Sequence, residues 1–273
     1  MDYKITETIY YAHTLDREFT SIALYGISDL HYGSPHCSIK HIDRMIADLQ
    51  APNAYAILNG DLIQADIRMS KGDIFSQVGT PQQQRKWIIN RFLPVKDKIL
   101  GCTRGNHELR ICNQMGDDHC EDIADALGCP YDPDGILLKI SFGHGNNRMD
   151  NAPYVYYAYA THGYGGARTT GAKAQKLKRL AANIHASVYF ESHDHEELGC
   201  VDSYLMPDPR TRLDEKTGFS TGKVVEHNKK LIKTGSAQKW GGYAKRTGLP
   251  PTQLSTPVAI LRGWGKPWVN IVI

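Results

Sequence analysis

Short apolar runs alternate with helix-patterned stretches through this chain, and run after run stops on a side chain able to hold a metal. Ser21 to Ser28, with Ile22, Leu24 and Ile27, reads as a strand that delivers Asp29-Leu30-His31 to its carboxyl end. Ser38 then reads as an N-cap, and Ile39, Ile42, Met45, Ile46 and Leu49 recur at helical spacing up to Gln50. A second strand, Tyr55 to Leu58, ends in Asn59-Gly60-Asp61. Strand, helix and strand in this order build a βαβ unit, whose parallel neighbours present their carboxyl ends at one edge. The expected fold class is α/β, with a crevice at the strand ends where such sheets bind ligands.

More side chains are expected at that edge. The run Ile99-Leu100-Gly101-Cys102 leads into Gly105-Asn106-His107-Glu108, read as a turn just past the strand. Asn106 offers a hard carbonyl oxygen, His107 an imidazole that can donate a proton, and Gly105 a tight backbone turn. Ile136 to Phe142 and Tyr154 to Thr161 read as strands ending in His144-Gly145 and His162-Gly163. His162 is preferred as a ligand, because its strand is longer, more apolar and leads into a further helix and strand. Ser187 to Phe190 then reaches Ser192-His193-Asp194-His195. Residues two apart on an extended segment point to one side, so Asp29 with His31, and His193 with His195, are each expected to face one ion. The set Asp29, His31, Asp61, Asn106, His107, His162, His193 and His195 contains no thiolate, a donor mix that suits Mn, Fe, Zn, Co or Ni.

The remaining stretches read as scaffold. Thr80 and Pro81 open a helix carrying Trp87, Ile88 and Phe92. The acids from Asp118 to Asp125 fall on an amphipathic helix with Ile123, Ala126 and Leu127, stopped at Gly128, rather than on a second metal cluster. The helix Ala172 to Asn183 carries Lys173, Lys176, Lys178 and Arg179, expected on a solvated outer face, with a phosphate-attracting rim as the sharper reading. Residues 207–222 are rich in Pro, Gly and charge and read as a surface excursion, followed by a hairpin from Lys223 to Thr234 turning at His227-Asn228. Residues 237–256 read as a basic loop with Trp240 and Tyr243, and Val258 to Leu261 and Trp268 to Ile273 as closing strands. One domain over 1–273 is expected.

With 273 residues and 41% hydrophobic content, the chain can bury a sizeable core. It has no run of about 18 apolar residues, so no membrane span is expected. Met1-Asp2-Tyr3-Lys4 is polar where a signal peptide is apolar, and a cytoplasmic location is expected. Cys37, Cys102, Cys112, Cys120, Cys129 and Cys200 show no Cys-x-x-Cys spacing and read as free thiols. Charge is uneven: residues 1–162 hold 15 Lys and Arg against 20 Asp and Glu, and residues 163–273 hold 17 against 9, an excess of +8.

Taken in order, Asp29-Leu30-His31, Gly60-Asp61, Gly105-Asn106-His107-Glu108, His162-Gly163 and Ser192-His193-Asp194-His195 resemble the motif series of the calcineurin-like metallophosphoesterases, and Gly235-Ser236 resembles a Gly-Ser that often follows. Ser192 stands where the family usually has Gly, and Gln64 where many members have Asp. The resemblance implies a four-layer sandwich, two mixed β-sheets flanked by helices. It implies two divalent ions, with Asp29, His31 and His195 on one, Asn106, His162 and His193 on the other, and Asp61 bridging. Mn²⁺ is the expected metal, with Fe, Zn, Ni or Co admitted by the same donors. The implied reaction is attack of a hydroxide shared by the ions on a phosphate ester, with His107 steadying charge or protonating the leaving group. A phosphodiester substrate of nucleic-acid or nucleotide type is preferred on the charge excess. A phosphomonoesterase and a non-catalytic scaffold subunit are the alternatives.

Overall fold

The structure, a computed structural model, describes residues 9–68, 70, 74–144, 152–167, 169–242, 245, 251 and 253–273. Gly145 and Tyr243, and with Tyr243 much of the basic loop, lie outside the described residues. The described elements in chain order are β1 (Tyr11–Thr14), β2 (Ser21–Ile27), α1 (Ile39–Asp48), β3 (Ala54–Asn59), α2 (Pro81–Phe92), β4 (Ile99–Thr103), α3 (Asn106–Met115) and α4 (His119–Leu127). They continue with β5 (Ile136–Phe142), β6 (Tyr154–Thr161), α5 (Thr170–Asn183), β7 (Val188–Glu191), β8 (Leu198–Leu213), β9 (Ser220–Lys233), β10 (Val258–Arg262) and β11 (Val269–Val272).

Two mixed sheets form. One runs β11-β10-β2-β3-β4, with β2, β3 and β4 parallel; the other runs β1-β5-β6-β7-β9-β8, with β6, β7 and β9 parallel. Ile22, Leu24, Ile57 and Leu100 of the first meet Ile136, Leu138, Tyr156, Phe190 and Ile232 of the second in a shared core. The outer face of the first sheet is covered by Ile42, Met45, Ile88, Phe92, Ile123 and Leu127 from α1, α2 and α4. Leu177 and Ala181 of α5 cover Tyr189 and Leu231 on the outer face of the second. Helices, sheet, sheet and helix make the expected four layers. β3 and β4 are buried along their whole length, as parallel strands covered on both faces must be. No described helix is long and apolar enough to cross a membrane.

Local signals account for the helix starts. Ser38 Oγ accepts from the His41 amide, Thr80 and Gln83 form a reciprocal capping box ahead of Pro81, and Asp118 caps α4. Three stretches differ from expectation. Gly105-Asn106-His107 is the start of helix α3 rather than a free turn. Residues 207–213 lie on β8 and 220–222 on β9, so the excursion is the outer part of a two-stranded ribbon. That ribbon turns between Asp214 and Phe219, not at His227-Asn228, which pair across it with Tyr204 and Ser203. Pro207 and Pro209 are tolerated because β8 is an edge strand. On α5, Lys173 is buried and Lys176 largely so, turned onto Glu196, Asp194 and Glu191 rather than toward solvent.

Candidate metal centre

The parallel strands β2, β3, β6 and β7, together with β4, end at one edge, and each delivers its side chains there. Asp29 and His31 follow β2, Asp61 follows β3, Asn106 and His107 open α3 after β4, His162 follows β6, and His193 and His195 follow β7. These eight side chains converge. His31 Nε2 lies 3.0 Å from His195 Nε2, and His195 Nε2 lies 3.2 Å from Asp29 Oδ1. Nearby, Asn106 Oδ1 lies 2.7 Å from His193 Nδ1 and 3.2 Å from His162 Nε2. One oxygen, Asp61 Oδ2, faces both groups, 3.3 Å from His162 Nε2 and 3.8 Å from His31 Nε2. His107 Nε2 is 3.9 Å from the same oxygen.

The means of convergence is not the one extended strands supply. Asp29, His31, Asp61, His193 and His195 all have left-handed backbone, with φ between 46° and 74°. For non-glycine residues such a conformation costs on the order of 1 kcal/mol or more each, and it persists only where surroundings enforce it. The surroundings here are hydrogen bonds from distant residues. Asp29 Oδ2 accepts from Ser28 Oγ at 2.7 Å and from the His193 amide at 3.2 Å, while Asp29 O accepts from Ser236 Oγ and the Ala237 amide. Asn59 donates to Thr161 O and to Ser192 Oγ, linking β3 to the ends of β6 and β7. Thr234 Oγ1 lies 2.6 Å from Ser28 Oγ and donates to Ser192 Oγ at 2.8 Å; sequence reasoning missed Asn59, Ser28 and Thr234 as supports, and only Gly235-Ser236 carried a signal.

Asp61 has a second task. Its Oδ1 accepts from the His107 amide at 2.8 Å, capping α3, whose N-cap Gly105 has no side chain to do so. Glu108 in turn accepts from the amides of Asp61 and Ile63 at 3.1 and 3.0 Å. The backbone carbonyl of Gln64 accepts from His107 Nδ1 at 2.6 Å. That bond places the proton on Nδ1 and leaves Nε2 of neutral His107 facing the cluster as an acceptor. His162 Nδ1 donates to Asn59 O at 2.9 Å, with the same consequence for its Nε2.

The charges are strongly coupled. Burial drives His162 toward losing its proton, but the carboxylates of Asp61 and Asp29 outweigh this and hold it up at about 10. Burial likewise opposes ionisation of Asp61, and His162 and His107 overcome it, keeping the carboxyl far below the usual range. Burial and the Asp61 charge push Glu108 up to about 7. Burial pushes His107 down to about 3, with Asp61 resisting and His31 and Arg110 adding to it.

Two observations test whether these residues fit a metal. Asp29 Oδ1 is buried and makes no well-formed hydrogen bond, with His195 Nε2 beside it at 3.2 Å, a costly state for a carboxylate oxygen unless a cation meets it. Two nitrogens each about 2.1 Å from one ion stand roughly 3.0–3.4 Å apart, and the His31–His195 separation of 3.0 Å matches this. The donors fall into Asp29/His31/His195, Asp61/His162/His193 and His31/Asp61/His107 groups, each compact enough for one ion. A further group, Asp117/His119/Asp122, is equally compact but holds the guanidinium of Arg85, whose Nη1 lies 3.0 Å from His119 Nδ1 and 3.3 Å from Asp117 Oδ1. His144, the alternative to His162, is half exposed and lies 3.0 Å from Glu18.

Metal binding requires neutral imidazole, so uptake near pH 8 is expected to release a proton from His162 and apparent affinity to rise with pH toward about 10. In the metal-free protein the stability that this imidazolium contributes is complete below 6.5 and is lost as pH rises through about 10. Titration calorimetry in buffers of differing ionisation enthalpy measures the released proton; a binding enthalpy independent of buffer contradicts it.

No family model matches the sequence, and no curated protein matches it. Among solved structures, vacuolar protein sorting 29 of Cryptosporidium parvum aligns over 93% of this chain and 98% of its own at 12% identity and a TM-score of 0.45. A conserved uncharacterised protein of Streptococcus pneumoniae TIGR4, described as a predicted phosphoesterase, aligns over 93% and 90% at 12% identity and a TM-score of 0.37. An Entamoeba histolytica Vps29 complexed with zinc aligns over 92% and 98% at 10% identity and a TM-score of 0.31. Likenesses this weak carry no chemistry to the present chain, whose side chains must supply it.

Proposed function

We propose that this protein is a dinuclear metal-dependent phosphoesterase with a preference for phosphodiesters. The observation that carries the reading is Asp61 Oδ2, a single carboxylate oxygen facing both donor groups. Asp29, His31 and His195 would hold one ion and Asn106, His162 and His193 the other, with Asp61 between them; Mn²⁺ fits this oxygen and imidazole mix. Two divalent ions held there would lower the pKa of water and neutralise charge developing on a phosphoryl group.

The chain's own residues prepare that chemistry. Asn59 O and Gln64 O hold a ring proton of His162 and of His107 on Nδ1, so Nε2 of His107, and Nε2 of His162 once that ring has lost its second proton, face inward as lone pairs. An anionic phosphate ester entering beside His107 would raise its affinity for a proton, so that Nε2 would take one from water and pass it to the leaving alkoxide. Cations on the site's own elements are already engaged: Arg104 with Asp118, Arg110 with Asp66, Lys176 and Lys233 with Asp194. A singly charged diester asks less of the remaining charge than a doubly charged monoester, which supports the diester preference. The charge excess after residue 162 is weaker support, because Lys173, Lys176 and Lys233 within it are paired with acids.

The test is hydrolysis of bis-p-nitrophenyl phosphate and p-nitrophenyl phosphate side by side, by protein stripped of metal and resupplied with Mn²⁺, Zn²⁺ or Ni²⁺. Metal-dependent turnover favouring the diester is expected. Turnover favouring the monoester moves the assignment to a phosphomonoesterase, and silence with two ions bound moves it to a scaffold. Replacing His107 by Asn is expected to slow turnover by roughly a hundredfold or more with both ions retained. Loss of an ion in that variant would instead make His107 a ligand, as its group with His31 and Asp61 permits.

A further inference from the structure

The segment that carries His193 and His195 is gripped from behind by buried lysines. Asp194, between the two histidines, has its side chain turned away from the cluster and 3% exposed. Its Oδ2 lies 2.5 Å from Lys233 Nζ on β9 and 3.1 Å from Lys176 Nζ on α5. Lys233 Nζ also reaches Ser192 O at 3.3 Å and Glu191 Oε1 at 3.1 Å. Lys173 Nζ reaches Asp194 O at 3.4 Å and Glu196 Oε2 at 2.5 Å. Lys173 and Lys233 are each 1% exposed, an unusual place for lysine, and buried ion pairs add little net stability to offset their desolvation. What they do determine is orientation. His193 and His195 both hold left-handed backbone, and the only charged side chain between them is fixed by two ammonium groups.

We propose that Asp194, clamped by Lys233 and Lys176, is a positioning residue that aims His193 into one donor group and His195 into the other. The inference rests on the metal-centre reading given above. Because one short segment serves both groups, loosening it weakens both ions together, whereas loss of an individual ligand weakens one.

Asp194→Asn is the informative variant, since Lys233 keeps Glu191 as its partner and the fold is retained. Mn²⁺ affinity, measured by calorimetry and by bound-metal content, is expected to fall roughly 10- to 100-fold for both ions. Hydrogen exchange over Ser192–His195 in the metal-free protein is expected to quicken while the melting temperature stays near that of the wild type. Lys176→Met, at a partly exposed position, is expected to shift both readouts in the same direction by a smaller factor. Wild-type affinity and unchanged exchange in both variants overturn the clamp and leave the metal centre standing. A wild-type chain that binds neither ion overturns the metal centre and the clamp with it.

Discussion

Asp61→Asn is expected to cut phosphoester hydrolysis by about 1000-fold or more and to strip at least one ion from the protein, without unfolding it. The reason lies in the division of labour between the two carboxylate oxygens. Oδ1 accepts from the His107 amide and caps α3; an asparagine presents a carbonyl oxygen there and keeps the cap. Oδ2 faces His162 and His31, and an amide nitrogen in its place cannot serve a cation. The variant also removes the main charge that holds His162 protonated, so the proton release expected on metal uptake should shrink with it. Circular dichroism, bound-metal content and turnover on the diester separate these effects. A variant with full activity and two ions would end Asp61's bridging assignment.

Gly105→Ala is expected to damage fold and site together. A Cβ at Gly105 would lie 2.1 Å from the Asp61 amide nitrogen and 2.2 Å from Asp61 Oδ1, with Glu108 Oε2 at 2.8 Å. Gly60 closes the same contact from the other side, since a Cβ there would lie 2.5 Å from the Gly105 nitrogen. No flexible side chain can move aside to relieve this, because one obstacle is backbone and the other is the Asp61 carboxylate, held by the His107 amide. The φ of −95° at Gly105 is ordinary, so the penalty is steric rather than torsional. Overpacking of this kind is expected to destabilise by about 3 kcal/mol, and the relief available, a shift of α3 away from β3, carries Asn106 and Asp61 apart. A lowered melting temperature together with weakened metal affinity is the expected pair of results; an unchanged melting temperature would show that the approach is looser than the distances indicate.

Much of the fold was legible because its signals are local. Ser38, Thr80-Pro81 and Asp118 cap the helices they precede, and the apolar runs from Ser21, Tyr55, Ile99, Tyr154 and Ser187 became β2, β3, β4, β6 and β7. Helix α3 escaped notice for a physical reason. Its N-cap is a glycine without a capping side chain, its cap comes from Asp61 on another loop, and only Glu108 and Ile111 are buried along it. The outer ribbon of β8 and β9 escaped because Pro207, Pro209 and Gly218 read as loop, while the pairing that makes them strand and turn comes from across the ribbon.

By itself, then, the amino-acid sequence determined the α/β rhythm and which chemical groups stand at the strand ends, since periodicity and capping act over a few residues. The tertiary structure alone decided that these groups meet, and how. It bends Asp29, His31, Asp61, His193 and His195 into left-handed backbone, turns Lys173 and Lys233 inward onto Glu196 and Asp194, and sets Asp61 between two donor groups and a helix terminus. Each of these places charge or strain where water is excluded, a state tolerable only when partners remote in sequence supply the opposing charge or hydrogen bond.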